Sequence, residues 1–466
     1  STEQEENKML NKKTGVLKRI AISGLAITVL CTASGMFAAC GYAETGSGYK
    51  VEDIDLAEVD RDEGEAVFRE GGLAEIYKDY FVVGVSGKGS TFENQKSIIS
   101  NFNSVSPEYD MKWNRTEYPE GEYHNTSVNN FINLASQNNM GVRGHCLIWY
   151  QSTPKWVHDK LGNKCRMDEN GNPVTHTVNG KDLRIGETVE NRELGLEVMR
   201  NRIYSAMEQY GNETVYCWDV VNEALIPWDD AEKPLTKQMI EAGEIYRNGE
   251  NDARHFGKDQ EDPGTGETVY WRLDWEKVIG EDFIQQAFQM ADDACREFGY
   301  DNMDLFYNDY DLTNPMKRDA CLRMIHDLQQ GGIRIDGIGE QAHYTLESYT
   351  SNKKKWLTNF ETAIQAYTGL GLDFQLTELE ITVKGATGGK LTEQQEKDQA
   401  EMYSEIFKIC RKYSKKLPPW KEGAGYVTGI TFWGAADDSS TTSHIFNQDL
   451  TPKMAYEAIA TFGDFE

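Results

Sequence analysis

The chain has 466 residues, with 76 acidic and 48 basic side chains and a net charge of −28. This acidic excess argues against a nucleic-acid partner and against an anionic membrane surface, because binding to phosphates needs a basic face. The 23 Tyr, 18 Phe and 10 Trp residues supply bulky core material that a disordered chain would lack.

The first 43 residues have the pattern of a leader and secretory signal. Basic residues precede an apolar run of small residues over 20–39, as in a signal segment. Cleavage is predicted after Ala43, but the residues around Cys40 also resemble a bacterial lipoprotein box. An uncleaved membrane anchor is the alternative, since about 20 residues can span a bilayer. We expect a secreted or cell-surface protein, with an anchor through Cys40 in the lipoprotein case, and with 44–71 as an acidic linker.

Residues 72–466 alternate short β-like runs with amphipathic stretches. The predicted strands are Phe81–Ser86, Ser104–Lys112, Val142–Trp149, Val215–Glu223, Met303–Tyr310, Gly337–Tyr344, Asp373–Ile381 and Gly429–Gly434. The predicted helices cover 187–210, 282–298, 315–330, 354–368 and 392–415. Eight strands that alternate with crossover helices predict an α/β fold, a single (β/α)8 TIM barrel. Long loops follow strands 3 and 4, over about 152–186 and 225–280.

Two of the predicted strands end in carboxylates that suit glycoside hydrolysis. The fourth strand ends in Asn222-Glu223, and the seventh contains Glu378 and Glu380. Because strand ends converge at one mouth of a barrel, we expect Glu223 and Glu378 to face each other there. In glycoside hydrolysis one carboxyl group protonates the leaving oxygen while the other attacks the anomeric carbon. Most of the 76 acidic residues are solvated surface groups, and the strand-end position distinguishes these two.

Metal and cofactor chemistry find no support in the sequence. The eight histidines and eight cysteines are scattered, without the spacing of zinc ligands. The glycines of 84–89 lack the spacing of a phosphate loop. We therefore predict neither a metal nor a cofactor.

Eight motifs, taken together, resemble glycoside hydrolase family 10, the endo-β-1,4-xylanases, from about Leu73 to Phe462. In strand order they are Phe81–Val85, Met111–Trp113, Arg143–His145, Trp218–Glu223, Tyr307–Tyr310, Gln341–His343, Thr377–Glu380 and Thr431–Gly434. The resemblance implies a retaining endo-1,4-β-xylanase that acts on internal bonds of xylan and on xylo-oligosaccharides. It implies no cofactor and no obligate protein partner.

The resemblance also implies roles for single residues. Glu223 would be the general acid/base and Glu378 the nucleophile, which His343 and Glu380 would support. The substrate-binding residues would be Glu108, Lys112, His145, Trp149, Asn222, Tyr310, Gln341, His343 and Trp433.

Three departures from the family pattern lie around the sites for the non-reducing-side sugars. Tyr109 stands where the family has Asn, Ser152 stands where it has Gln, and no second Trp follows Trp433. These departures leave the preferred chain length and the tolerance of substituted xylan open. We hypothesise that the 225–280 loop supplies replacement contacts, including one from Trp228.

Other functions remain open at this point. Another retaining β-glycanase, of the cellulase or mannanase type, would use the same barrel and the same carboxylates. An oligosaccharide-preferring xylanase is a further alternative. The alternative from a different class is a surface glycan-binding lipoprotein without catalysis, which the presence of both Glu223 and Glu378 disfavours.

Overall fold

A computed structural model describes residues 72–162, 168–172, 189–225, 273–384, 390–438 and 440–463, together with the backbone of short strands between 164 and 187 and between 226 and 270. The predicted leader and signal, the linker and Trp228 lie outside these residues. Among the described residues no helix combines the length and the apolar character needed to span a membrane.

Eight parallel strands close into a barrel. They are β1 Val82–Gly87, β2 Ser104–Pro107, β3 Gly141–Gly144, β4 Val215–Asn222, β5 Asp304–Asp309, β6 Gly337–Glu340, β7 Asp373–Thr382 and β8 Val427–Phe432. Each strand pairs with the next, and β8 pairs with β1, with Gly429 opposite Val82. The strands are rich in side chains that are buried on both faces, as covered parallel strands require. The predicted (β/α)8 barrel is confirmed.

Helices separate the strands along the chain and bury their apolar faces in one continuous core. Their bounds are Gly72–Ile76, Thr91–Asn94, Trp113–Thr116, Thr126–Gln137, Lys155–Lys160, Arg192–Tyr210, Trp275–Ile279, Phe283–Phe298, Pro315–Gln330, Leu346–Ser351, Lys353–Thr368, Glu393–Lys412 and Met454–Ala460, with a 3₁₀ turn at Ile99–Asn101. Four predicted helices agree with these bounds to within three residues.

The helix predicted over 187–210 begins later, at Arg192. The predicted start overlaps only the last residue of a strand, Lys181–Glu187, which pairs antiparallel with Thr175–Val178, and 189–191 lie in neither element. The predicted 152–186 loop therefore carries a small sheet as well as the helix Lys155–Lys160.

The second strand is shorter than predicted. It ends at Pro107, and the chain then turns until Lys112 precedes the short helix Trp113–Thr116. The third predicted strand is broken after Gly144, and Ile148–Trp149 pairs separately with the end of β4. Both interruptions bring side chains of the turns to the mouth of the barrel.

Candidate active site

A cleft of about 520 Å³ opens at the C-terminal ends of the barrel strands. Its lining residues come from the ends of six barrel strands or from the segments that follow them: Glu108, Tyr109, Lys112, Asn114, Arg115, His145, Trp149, Gln151, Ser152, Glu223, Gln341, His343, Glu378, Glu380 and Trp433. Ten of these are predicted site residues, so residues far apart in sequence meet in one place.

Glu223 follows the last residue of β4. Its φ of +53° lies in the left-handed region, which costs a residue with a Cβ about 1 kcal/mol or more. The backbone amide of Glu223 donates to the carbonyl of Asn308 at the end of β5, at 2.9 Å. This contact fixes the turn, so the chain leaves the strand at the residue whose side chain enters the cleft.

Four side chains donate hydrogen bonds to the carboxylate of Glu223. Trp149 Nε1 and the Tyr150 hydroxyl contact Oε2, each at 3.1 Å. Asn222 Nδ2 contacts Oε1 at 3.1 Å, and Gln341 Nε2 contacts the same oxygen at 3.0 Å. Indole and amide N–H groups only donate, whereas a phenol hydroxyl also accepts. When Glu223 carries a proton, the Tyr150 hydroxyl is therefore the one of these four groups that can accept it.

Glu378 lies on β7 and is 6 % exposed. Its Oε1 accepts from Asn308 Nδ2 at 3.1 Å, and its Oε2 contacts His343 Nε2 at 3.2 Å. Burial alone raises the pKa of this carboxyl, but the hydrogen bond from His343 and the positive charges of His145, His343 and Lys112 outweigh it. The pKa of Glu378 is lowered to about 2, which keeps the carboxylate ionised.

His343 connects Glu378 to a second carboxylate. Its Nδ1 lies 2.8 Å from Glu380 Oε1, on the other side of the ring from Glu378. Burial lowers the pKa of His343, but the two carboxylates raise it by more than burial lowers it, and the resulting pKa is about 10. Both ring nitrogens therefore carry protons, and His343 donates to both carboxylates. Burial raises the pKa of Glu380, and the contact with His343 more than offsets this effect and lowers it.

The two carboxylates in the cleft are joined by a chain of side-chain amides. Asn308 Nδ2 donates to Asn222 Oδ1 at 2.9 Å as well as to Glu378. Asn222 in turn donates to Glu223. An ionised carboxylate and a second carboxyl group are therefore linked through two amides in one cleft, and double displacement at a sugar carbon uses a pair of carboxyl groups.

The comparison with known proteins decides the family. A family model described as Glycosyl hydrolase family 10 matches residues 72–462. The chain belongs to this family. It is 29 % identical over 372 residues to Endo-1,4-beta-xylanase A of Caldicellulosiruptor saccharolyticus, which covers 78 % of this chain and 85 % of that protein. It is 28 % identical over 407 residues to Beta-1,4-xylanase of Dictyoglomus thermophilum, with 84 % and 90 % covered.

Solved structures agree with this assignment. The crystal structure of an endo-1,4-beta-xylanase from Caldicellulosiruptor owensensis matches with a TM-score of 0.61 and 28 % identity, over 85 % of this chain and all of that chain. A mutant structure in complex with xylotriose matches with a TM-score of 0.59 and 27 % identity, over 84 % of this chain and 99 % of that chain.

The remaining predicted residues of this family 10 cleft lie beside the carboxylates. His145 Nδ1 is 2.9 Å from Asp219, whose other oxygen pairs with the buried Arg143. This pairing leaves His145 Nε2 as the nitrogen available to the cleft. Trp433 lies edge-on to the rings of His145 and His343, at 6.2 and 6.3 Å between centroids.

The residues predicted to bind the non-reducing-side sugars form a second group. The ammonium of Lys112 lies between two aromatic rings, 5.0 Å from the centroid of Trp149 and 5.2 Å from that of Tyr109. Glu108 contacts Lys88 at 3.5 Å, and Lys88 also lies over the Tyr109 ring, at 4.9 Å. Tyr109 is 44 % exposed, so the residue that departs from the family pattern is an accessible part of the cleft.

Two predicted residues do not line the cleft. Asn222 is 2 % exposed and acts from behind Glu223. Tyr310 packs its ring against Lys317 Nζ, 3.3 Å from the ring centroid, and its contact with a sugar stays a prediction. Sequence reasoning assigned no role to Tyr150 or to Asn308. Each lies within or beside a motif that carries the resemblance, and that position is the signal that could have identified it.

Proposed function

We propose that this chain is a retaining endo-1,4-β-xylanase that hydrolyses internal β-1,4-xylosidic bonds of xylan and xylo-oligosaccharides. The observation that carries the proposal is the contrast between two carboxyl groups in one cleft. Glu378 is buried and held ionised by His343, whereas Glu223 is half-buried and hydrogen-bonded to a hydroxyl that can also accept a proton. Membership of family 10 and the xylanase relatives support xylan as the substrate.

Double displacement assigns a separate task to each carboxyl group. Glu378 attacks the anomeric carbon and forms a glycosyl ester, while Glu223 gives its proton to the departing xylosyl oxygen. Glu223 then removes a proton from water, which attacks the same carbon and releases Glu378. Two inversions at one carbon leave the product with its original β configuration.

The neighbouring residues bind and orient the sugars in this proposal. Asn222 hydrogen-bonds the 2-hydroxyl beside the broken bond, and Gln341 with Tyr310 lines the site nearest cleavage. The non-reducing-side sugars are bound by Glu108, Lys112, His145 and Trp149, and Trp433 forms the floor beneath a ring. Aromatic faces and convergent polar groups of this kind are typical of sugar sites.

Secretion is part of the proposal. Residues 1–43 supply the signal, and the mature protein is released or stays at the cell surface through Cys40. A polymer such as xylan cannot enter a cell, so an enzyme that cuts the polymer must act outside the cell or at its surface.

The test is release of reducing ends by the full chain from xylan, soluble cellulose and mannan in parallel, with Glu378→Gln as the control. Selective activity on xylan that the control lacks supports the proposal. Selective activity on cellulose or mannan favours another β-glycanase, and activity on short xylo-oligosaccharides alone favours an oligosaccharide-preferring xylanase. Binding without any activity favours the glycan-binding lipoprotein. Proton NMR of the first product tests the stereochemistry, since an initial α-anomer contradicts double displacement.

A further inference from the structure

The carboxylate that orients His343 has a second partner outside the cleft. Glu380 Oε1 contacts His343, while Glu380 Oε2 accepts a hydrogen bond from the Ser443 hydroxyl at 3.1 Å. Ser443 lies after β8 and is 1 % exposed. The hydrogen bonds therefore run from Ser443 through Glu380 and His343 to Glu378, with each group bonded to the next.

The backbone around Ser443 is fixed from two sides. Its carbonyl accepts from the hydroxyl of Tyr403 at 2.5 Å and from the backbone amide of Ile381, just after Glu380, at 3.3 Å. The carbonyl of the preceding Thr442 accepts from Gln399 Nε2 at 2.8 Å. A buried hydroxyl on a backbone held in this way is a rigid donor, so it can restrict the carboxylate that accepts from it.

His444, the residue after Ser443, contacts the backbone of Trp433, which is the proposed floor of the sugar site. His444 Nε2 lies 3.0 Å from the carbonyl of Trp433, and since a carbonyl only accepts, Nε2 carries the proton. The His444 amide donates to Asp437, whose other oxygen pairs with Lys453 at 2.7 Å. Gly434 has a φ of +104°, and a Cβ there would lie 2.7 Å from His444 Nε2. The close approach of His444 to the Trp433 turn therefore depends on that glycine.

From these contacts we infer that Ser443 and His444 are positioning residues for two parts of the site. Ser443 orients Glu380, and through it the His343–Glu378 pair, whereas His444 fixes the backbone of Trp433. Neither residue lines the cleft, so each acts through another. The inference rests on the proposed function for its effect on catalysis, but the hydrogen-bond geometry does not depend on which glycan is cleaved.

The Ser443 hydroxyl stabilises the ionised form of Glu380, and its loss therefore raises the pKa of that carboxyl. The ionisable groups that face Glu380 are His343 after β6, His444 after β8 and the Tyr403 hydroxyl on the helix Glu393–Lys412, with Glu378 beyond His343. Ser443→Ala leaves all of them in place, so a change in pH dependence is traced to the missing hydroxyl.

The first experiment measures kcat and KM against pH for the full chain and for Ser443→Ala. In Ser443→Ala we expect kcat to fall about fivefold and KM to change little. The acid limb of the kcat–pH profile is expected to lie at a higher pH than in the wild type. Ser443→Thr restores the hydroxyl and is expected to recover most of the loss. The control is Ser351→Ala, which removes an exposed hydroxyl that donates to the carbonyl of Ser348. A wild-type profile in Ser443→Ala, or equal losses in the Ala and Thr variants, overturns the inference.

A second experiment needs no activity and so separates this inference from the proposed function. The Nδ1 proton of His343, assigned with His343→Gln, gives a low-field NMR signal while Glu380 is ionised. In Ser443→Ala the signal is expected to be lost at a pH higher by about 0.5 unit. An unchanged titration overturns the role of Ser443 even if the enzyme cleaves xylan. A shifted titration supports it even if no glycan is cleaved.

His444 is expected to affect KM and not kcat, the opposite of the effect expected for Ser443. His444→Leu removes the hydrogen bond to the Trp433 carbonyl and replaces the imidazole with an apolar side chain of similar bulk. We expect KM to rise about fivefold with kcat within about twofold of wild type, because a floor binds the ground and transition states alike. A fall in kcat with unchanged KM overturns this part. If His444→Leu does not fold, binding of xylotetraose to His444→Met, which also lacks the N–H donor, is measured by isothermal titration calorimetry, and wild-type affinity overturns the role.

Discussion

Asn308 lies within 3.1 Å of the predicted nucleophile Glu378, and its side-chain amide serves both halves of the site. Nδ2 donates to Glu378 and, at 2.9 Å, to Asn222, which in turn donates to Glu223. The side-chain oxygen of Asn308 accepts from Thr377 at 2.6 Å. One buried amide near the end of β5 therefore links the groups that hold the two carboxyl groups.

Replacing this amide is expected to damage catalysis more than stability. Asn308→Ala removes a hydrogen bond to a charged group, and it costs Asn222 and Thr377 their shortest side-chain hydrogen bonds, at 2.9 and 2.6 Å. The loss in kcat/KM is expected to be about 10- to 100-fold, mostly in kcat. Steady-state kinetics on xylan or xylotetraose measures this loss. The control is Asn138→Ala, which removes an exposed amide that donates to Leu134. A loss confined to KM would contradict the positioning role.

The contacts of His343 predict how stability depends on pH. Despite burial, His343 and the charges nearby lower the pKa of Glu378 from 4.5 to about 2. Glu378 and Glu380 likewise raise the pKa of His343 from 6.5 to about 10. A lowered carboxyl pKa contributes stability above pH 4.5, which is lost as the pH falls through about 2. A raised histidine pKa contributes stability below pH 6.5, which is lost as the pH rises through about 10.

The stability difference between wild type and His343→Gln is therefore expected to be largest between pH 4.5 and 6.5. Urea unfolding at pH values from 3 to 10 measures it, with folding followed by tryptophan fluorescence. His326→Gln is the control, because His326 is a partly exposed histidine on the helix Pro315–Gln330. A difference that is the same at every pH would contradict the charged state assigned to His343.

The sequence predicted the barrel because its strands and most of its helices have strong local patterns. Pro315–Gln330 was predicted to the residue, since a proline begins it and the apolar spacing is regular. Thr126–Gln137 was missed, because its polar residues hide the narrow apolar face formed by Val128, Phe131, Ile132 and Ala135. The start predicted for Arg192–Tyr210 at 187 was wrong, because Glu187 ends a strand that pairs with Thr175–Val178 and the helix begins only after 189–191.

The position of Glu223 and Glu378 in the cleft could be predicted because each belongs to a motif near the end of a strand, and their roles stay predictions. The residues that hold them could not be predicted in the same way. Ser443 reaches Glu380 from 63 positions further along the chain, and only the closure of the barrel brings the two together. Tyr150 is adjacent to a predicted site residue, but the direction of its hydroxyl is set by the turn after Ile148–Trp149.

Tyr150 offers a test of proton handling at Glu223. Tyr150→Phe keeps the ring but removes the one group, among the four donors to this carboxylate, that can also accept a proton. We expect kcat to fall about tenfold with KM nearly unchanged. The fall should be smaller for an aryl xylobioside with a good leaving group, which needs little protonation. Tyr300→Phe is the control, since its hydroxyl donates to Gly211 on the outer helices. Equal losses on both substrates would contradict the role.

Tyr109 is expected to affect binding of the substrate and not the bond-breaking step. Its ring contacts the ammonium groups of Lys88 and Lys112, and Lys112 also contacts Trp149. Removing the ring in Tyr109→Ala frees both lysines to move, and an exposed cation–π contact contributes about 0.5–1 kcal/mol. We therefore expect KM for xylotetraose to rise about two- to fivefold while kcat is unchanged.

The control for this variant is Tyr123→Ala, because Tyr123 is similarly exposed, at 41 %, but does not line the cleft. Tyr109→Asn restores the residue type that the family carries and distinguishes two explanations. If the amide replaces the function of the ring, KM returns to the wild-type value, and the departure at this position is neutral. If KM stays high, Lys112 in this chain depends on the aromatic contact, and the non-reducing-side sugar site has been rebuilt around it. A fall in kcat in Tyr109→Ala would contradict both, because it would place Tyr109 at the reacting bond.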